Sequence, residues 1–166
     1  MVEGEKMIRF EIINQEQYDK DTREIKGAHI RTSYDNLKLP TRSTEGSAGY
    51  DFYSPVKIVC RPNEWYTIPT GIKFVTDRKD IVLLCAPRSG LGCKKHFQLL
   101  NTIGVIDSDY QYADNDGHIM IKFMVEKELT IETGDKIIQG IIVPYLTVDD
   151  DETVDKRTGG FGSTGK

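Results

Sequence analysis

The amino-acid sequence predicts an all-β sandwich or barrel. The stretch "GHIMIKFMVEKE" sets Ile119, Ile121, Phe123 and Val125 on one face and Lys122 and Glu126 on the other, the period of two of a half-buried strand. Other short runs rich in β-branched and aromatic residues recur along the chain, separated by turn signals such as Arg61-Pro62-Asn63, Pro69-Thr70-Gly71 and Thr133-Gly134-Asp135. Nothing alternates strand with helix in the manner of a parallel α/β sheet.

In chain order, "MIRFEII" reads as an edge strand, and "NQEQYDKDTREIK" is polar and charged with no clear assignment. "DFYSPVKIVC", "EWYTIPTGIKFVT" and "IVLLCAP" then read as strands, "LGCKKHFQLL" as a short helix, and "KIIQGIIVPYLTV" as a strand again. From Val148 the chain runs "VDDDETVDKRTGGFGSTGK", with almost no apolar content to offset its ordering entropy. The expected organisation is a β domain over 1–147 and a flexible C-terminal arm over 148–166.

The chain has 166 residues, 38% hydrophobic and 29% charged, which fits one domain with a real core. A net charge of −4 argues against stable, non-specific nucleic-acid binding, so a polyanionic ligand must meet a local cluster of Arg, Lys or metal. No apolar run approaches the roughly 20 residues of a membrane span, and the N-terminus lacks a signal-peptide core. Cys60, Cys85 and Cys93 are odd in number and form no C-x-x-C pair, which points to a reducing, cytoplasmic setting.

Several stretches carry chemistry. "CAPRSGLG" gathers Arg88, Ser89 and Gly90 in what reads as a tight turn able to cradle phosphate oxygens, or as an ordinary strand-ending turn. "NTIGVIDSDYQ" ends an apolar run on Asp107 and Asp109, either a simple hairpin end or a carboxylate held to orient a water or metal ion. "SAGYDFYS" places Asp51 behind small residues, and "GDKIIQGII" carries Gln139 into a buried strand. The tail "RTGGFGSTGK" approaches the phosphate-loop pattern but lacks the Ser or Thr and the helix that pattern needs. Phe161 among its glycines suits stacking on a base.

Taken in order, "SAGYDFYS", "PRSGLG", "NTIGVIDSDY", "GDKIIQGII" and "RTGGFGSTG" resemble the five motifs of the homotrimeric dUTPases. The similarity runs from about Leu39 to Lys166 and leaves residues 1–38 poorly matched. The resemblance implies a distorted jelly-roll subunit, a homotrimer with active sites where subunits meet, and a C-terminal arm that closes over them. It implies hydrolysis of dUTP to dUMP and pyrophosphate with Mg²⁺, which keeps uracil out of DNA and supplies dUMP for thymidylate. By that resemblance Asp107 activates the attacking water and Tyr110 packs under the deoxyribose. Asn101, with the backbone of Gly104, Val105 and Ile106 and near Met120, would read uracil. Arg88, Ser89, Gly90 and Gln139 would hold phosphates, and Asp51 would reach Mg²⁺ through water. Arg157, Gly162, Ser163 and Thr164 would close the site, with Phe161 over the base.

Two departures stand out. "YADND" (Tyr112 to Asp116) interrupts the usual D-Y-x-G and is expected to lengthen a hairpin tip. The tail is one residue short, so Lys156 takes the usual arginine slot. A related dCTP deaminase activity is the enzymatic alternative. A regulatory protein partner docking on the long N-terminus and "YADND" is the other reading.

Overall fold

The computed structural model describes residues 7–155, Arg157 and Gly159. Among these, thirteen strands pair into four sheets, every pairing antiparallel. The all-β expectation holds.

The sheet that carries the site has five strands. In chain order they are β3 (Thr41–Arg42), β4 (Tyr50–Tyr53), β8 (Ile81–Pro87), β10 (Gly104–Asp107) and β13 (Lys136–Pro144), arranged β10-β8-β13-β4-β3. A second sheet places β11 (Met120–Val125) between β6 (Trp65–Pro69) and β9 (Phe97–Leu99). On β11, Ile121, Phe123 and Val125 are buried while Met120, Lys122 and Met124 alternate with them, so the two-residue period decides which face enters the core. Phe123 stacks on Phe97 with centroids 4.3 Å apart, and both are fully covered. The strand β5 (Val56–Cys60) lies between β12 (Leu129–Ile131) and β2 (Ala28–Arg31). Cys60 and Cys85 are buried free thiols, each with its pKa pushed up to about 12 by burial, and Cys93 is exposed.

The N-terminal stretch folds onto this body. "MIRFEII" supplies β1 (Ile8–Ile12), which pairs only with β7 (Ile72–Thr76), Ile8 opposite Thr76 and Ile12 opposite Ile72. The polar stretch that follows is a helix, α1 (Gln15–Asp21), capped by Asn14, whose side chain accepts the Gln17 N–H at 2.8 Å. Its one buried residue, Tyr18, donates to the Thr32 carbonyl at 2.9 Å. A helix with a single apolar anchor leaves almost no periodic signal, which is why sequence alone does not assign it.

Two expectations are corrected. The central helix α2 covers Ser89–Lys95 rather than starting at Leu91, and Phe97–Leu99 is strand β9. His96 takes a left-handed conformation (φ 56°) that ends the helix and frees Phe97 to enter the sheet. The "YADND" insertion is not a projecting tip. After a 3₁₀ turn over Ser108–Tyr112, Ala113 is buried and Asp116 is tied down twice: its Oδ1 by Lys73 Nζ at 2.9 Å and its Oδ2 by the Asn14 N–H at 2.6 Å. Gly117 then turns with φ +65°, where a Cβ would meet Gln111 Cα at 2.8 Å. Tyr112 and Asp114 remain exposed.

Candidate active site

Two groups of polar residues lie on the five-stranded sheet. The first surrounds an open cavity of about 480 Å³. Strand β10 pairs with β8, Gly104 opposite Cys85 and Asp107 opposite Val82, and delivers Asp107 at its end. The chain turns there into the 3₁₀ segment, which swings Tyr110 back under the cavity. Asn101, Gly104, Val105, Ile106, Tyr110 and Met120 all line the space with Asp107. Six residues that the sequence assigns to the nucleoside therefore do converge beside the carboxylate.

Arg157 closes one side. Its Nη2 donates to Asp107 Oδ2 at 2.6 Å and its Nε to Asp109 Oδ1 at 2.8 Å. The guanidinium carbon stands 5.6 Å from the Tyr110 ring centroid, within cation–π range. The Arg157 side chain is 14% exposed, whereas Asp107 and Asp109 are about half exposed. The fork thus joins two carboxylates of its own chain. Tyr110 is itself buried, and burial raises its phenol pKa against the lowering effects of Asn115 and Arg157. A neutral hydroxyl suits a residue packed against a nucleoside.

The second group sits across the sheet. Asp51 on β4 is 4% exposed, opposite Gln139 on β13, which lies opposite Ala86 on β8. Asp51 Oδ2 accepts from Ser43 Oγ at 2.7 Å and meets Lys136 Nζ at 2.9 Å and Arg88 Nη1 at 3.2 Å. Burial pushes the Asp51 carboxyl up, but the bonds from Ser43 and Lys136 and the nearby Arg88 charge outweigh it and hold the pKa below the usual range. Gly49 lets Gln139 approach: a Cβ there would lie 2.7 Å from Gln139 Oε1.

Arg88 is the extended residue preceding α2, so "PRSGLG" is a helix start rather than an isolated turn, with Ser89 and Gly90 in its first turn. The first N–H groups of a helix have no intrahelical partner. A Cβ at Gly90 would meet nothing within 4 Å, so the backbone there is open to approach.

Within one chain the two groups do not form a single site. Asp51 is three strands from Asp107 and offset by the spacing from Val82 to Ala86, about 19 Å along the sheet. Sequence reasoning misses Lys136 and Ser43, and it finds Asp109 only as a neighbour of Asp107. The one usable signal is the place of Lys136 just after the Gly-Asp turn, where a strand begins. Phe161, Gly162, Ser163, Thr164 and Lys156 lie outside the described residues. Among the described residues no cluster of three His, Cys, Asp or Glu side chains is arranged to hold a metal ion, and no helix is long and apolar enough to cross a membrane.

Comparison with known proteins identifies the family. Residues 35–165 match the family model described as dUTPase. The chain is 41% identical over 148 residues to the deoxyuridine 5'-triphosphate nucleotidohydrolase of Lactococcus lactis subsp. lactis (strain IL1403), covering 85% of this chain and 98% of that protein. It superposes on the crystal structure of a dUTPase from Streptococcus mutans with a TM-score of 0.66 and 29% identity, covering 85% and 98% of the two chains. The fold is also shared with a point mutant of the dUTPase from phage phi11 of S. aureus, TM-score 0.63 and 20% identity over 90% and 97% of the chains. That protein is described with a structural Mg(II) ion.

Proposed function

The chain belongs to the dUTPase family and is a dUTP diphosphatase, and from this premise we propose how its residues divide the work. One observation supports the reading above the others: the cavity beside Asp107 gathers Asn101, Gly104, Val105, Ile106, Tyr110 and Met120 around a single carboxylate. Uracil enters against Asn101 and the β10 backbone, whose amides and carbonyls can pair with its polar edge. The buried Tyr110 ring bounds the deoxyribose and leaves no room for a 2′-hydroxyl. Such a pocket excludes thymine by its methyl group and cytosine by donor–acceptor mismatch.

Asp107 holds a water in line with the α-phosphorus and accepts its proton as the O–P bond forms, while pyrophosphate departs. An aspartate is a weak base at neutral pH, so most of its effect is positioning. In the free chain Arg157 occupies the carboxylates. Phosphate oxygens compete for the same planar fork, so an arriving triphosphate draws Arg157 off Asp107 and leaves that carboxylate free for water.

The Arg88 group holds phosphates for a neighbouring copy. In support, the offset of about 19 Å within one chain exceeds the reach of a triphosphate whose sugar rests on Tyr110. A homotrimer that sets Arg88, Ser89, Gly90 and Gln139 of one copy beside the Asp107 cavity of another completes the site. Asp51 Oδ2 already takes three donors, so it fits the role of orienting Arg88 and Lys136 and does not fit direct coordination. Mg²⁺ would be held mainly by the triphosphate oxygens, with Asp51 contributing through water, and would supply charge neutralisation on the leaving pyrophosphate.

Pyrophosphate release should be fast with dUTP and at least about 100-fold slower in kcat/KM with dTTP, dCTP and UTP. Equal rates on all four nucleotides would refute this assignment of the pocket. Ammonia release from dCTP would instead favour a deaminase-related activity.

A further inference from the structure

The ring of His118 takes no part in the chemistry above, yet it is fully buried and held at every polar atom. The Gly71 N–H donates to Nε2 at 2.8 Å, which requires the lone pair there and sets the ring proton on Nδ1. Nδ1–H donates to Asp21 Oδ2 at 2.6 Å. Asp21 is the last residue of α1, and Gln17 Nε2 donates to the same oxygen at 2.8 Å. On the other side, the His118 carbonyl accepts from Tyr110 Oη at 3.0 Å and from Asn115 Nδ2 at 3.2 Å. The two residues that follow, Ile119 and Met120, line the nucleoside cavity.

We propose that Asp21 is a positioning residue for nucleotide discrimination: through His118 it fixes the Tyr110 ring and the Ile119–Met120 backbone that bound the sugar. The inference rests on the reading of Tyr110 as the wall beneath the deoxyribose. It goes beyond the family match, because Asp21 precedes the matched residues 35–165. A buried imidazole with a committed donor and a committed acceptor cannot pivot. Removing the acceptor leaves its N–H unsatisfied and frees the ring, so the His118 backbone is no longer pinned by its side chain, and its carbonyl can shift together with the Tyr110 hydroxyl bonded to it. Asp107 is anchored separately by the β10–β8 ladder, so the chemical step is insulated from this movement.

Steady-state kinetics on dUTP and UTP, with thermal melts, test this on Asp21→Leu, Asp21→Asn and Tyr110→Ala. Asp21→Leu should raise KM for dUTP and lower the dUTP-over-UTP preference in kcat/KM by about 5- to 20-fold, with kcat on dUTP within about twofold. Asp21→Asn should keep the preference, because its amide oxygen accepts the same N–H. A lower Tm for Asp21→Leu with the wild-type preference would overturn the proposal, as would an equal loss in Asp21→Asn. If Tyr110→Ala loses the preference and Asp21→Leu does not, only this inference fails. If Tyr110→Ala keeps it, the sugar-wall reading fails as well. Should Asp21→Leu not fold, Asp21→Ser removes the same reach while leaving room for water, and the same ratio decides.

Discussion

Asp107 and Asp51 each follow an apolar or small-residue stretch and each sit in a strand of one sheet, yet the structure uses them in opposite ways. Asp107 is half exposed, stands at the rim of a cavity and is held by one tail residue. Asp51 is nearly covered and its Oδ2 is taken by a serine, a lysine and an arginine. An open carboxylate with one exchangeable partner can act on a ligand. One whose oxygen is already taken by a hydroxyl and two cations of its own chain acts through the cations it aligns. The difference lies in what surrounds the residue, not in the residue type.

The sharpest break comes from Asp107→Asn, which keeps size and loses the acceptor charge. We expect kcat to fall about 10³-fold with the melting curve unchanged, measured as pyrophosphate release beside a thermal melt. An equal collapse for Asp51→Asn without loss of stability would erase the contrast. Next in size is Asp51→Ala, which strands Lys136 and Arg88. Breaking a buried pair costs about 3–5 kcal/mol, and solvent reaching the two cations lowers that to about 2 kcal/mol, read by urea unfolding. The smallest effect is in acid. Asp51, Asp21 and Asp116 all have folded pKa values below the usual carboxylate value, so the stability they contribute is present above the unfolded pKa. It is lost as pH falls through the folded values. Tm should stay level down to the ordinary carboxylate range and then decline, and Asp51→Asn should blunt the decline. A Tm that rises on acidification would contradict these directions.

The strands were legible because burial on one face writes a period of two into the chain. The cavity residues were legible because Asn101 to Tyr110 is one continuous stretch that turns on itself. Other features were hidden for physical reasons. The helix α1 carries one buried anchor and otherwise faces water. Of the partners of Asp51, Ser43 comes with β3, but Lys136 meets it only once β13 has paired with β4. His118 is a lone histidine among apolar residues, and its partner Asp21 is far away in sequence. Short-range patterns record local shape, while the partners that decide a carboxylate's role arrive by long-range pairing.

That pairing order also sets a timetable for folding. β10 closes against β8 across only the segment that holds α2 and β9, a far shorter span than the one from β4 to β13, so the Asp107 strand can find its neighbour soon after it is made. β4, with Asp51, must wait for β13, and β1 must wait for β7. Loop closure over such spans is slow, and the strand edges stay open meanwhile. A chain emerging from the ribosome can therefore set its Asp107 strand early, while Asp51, Lys136 and Arg88 are brought together only when the last strand slides between β8 and β4.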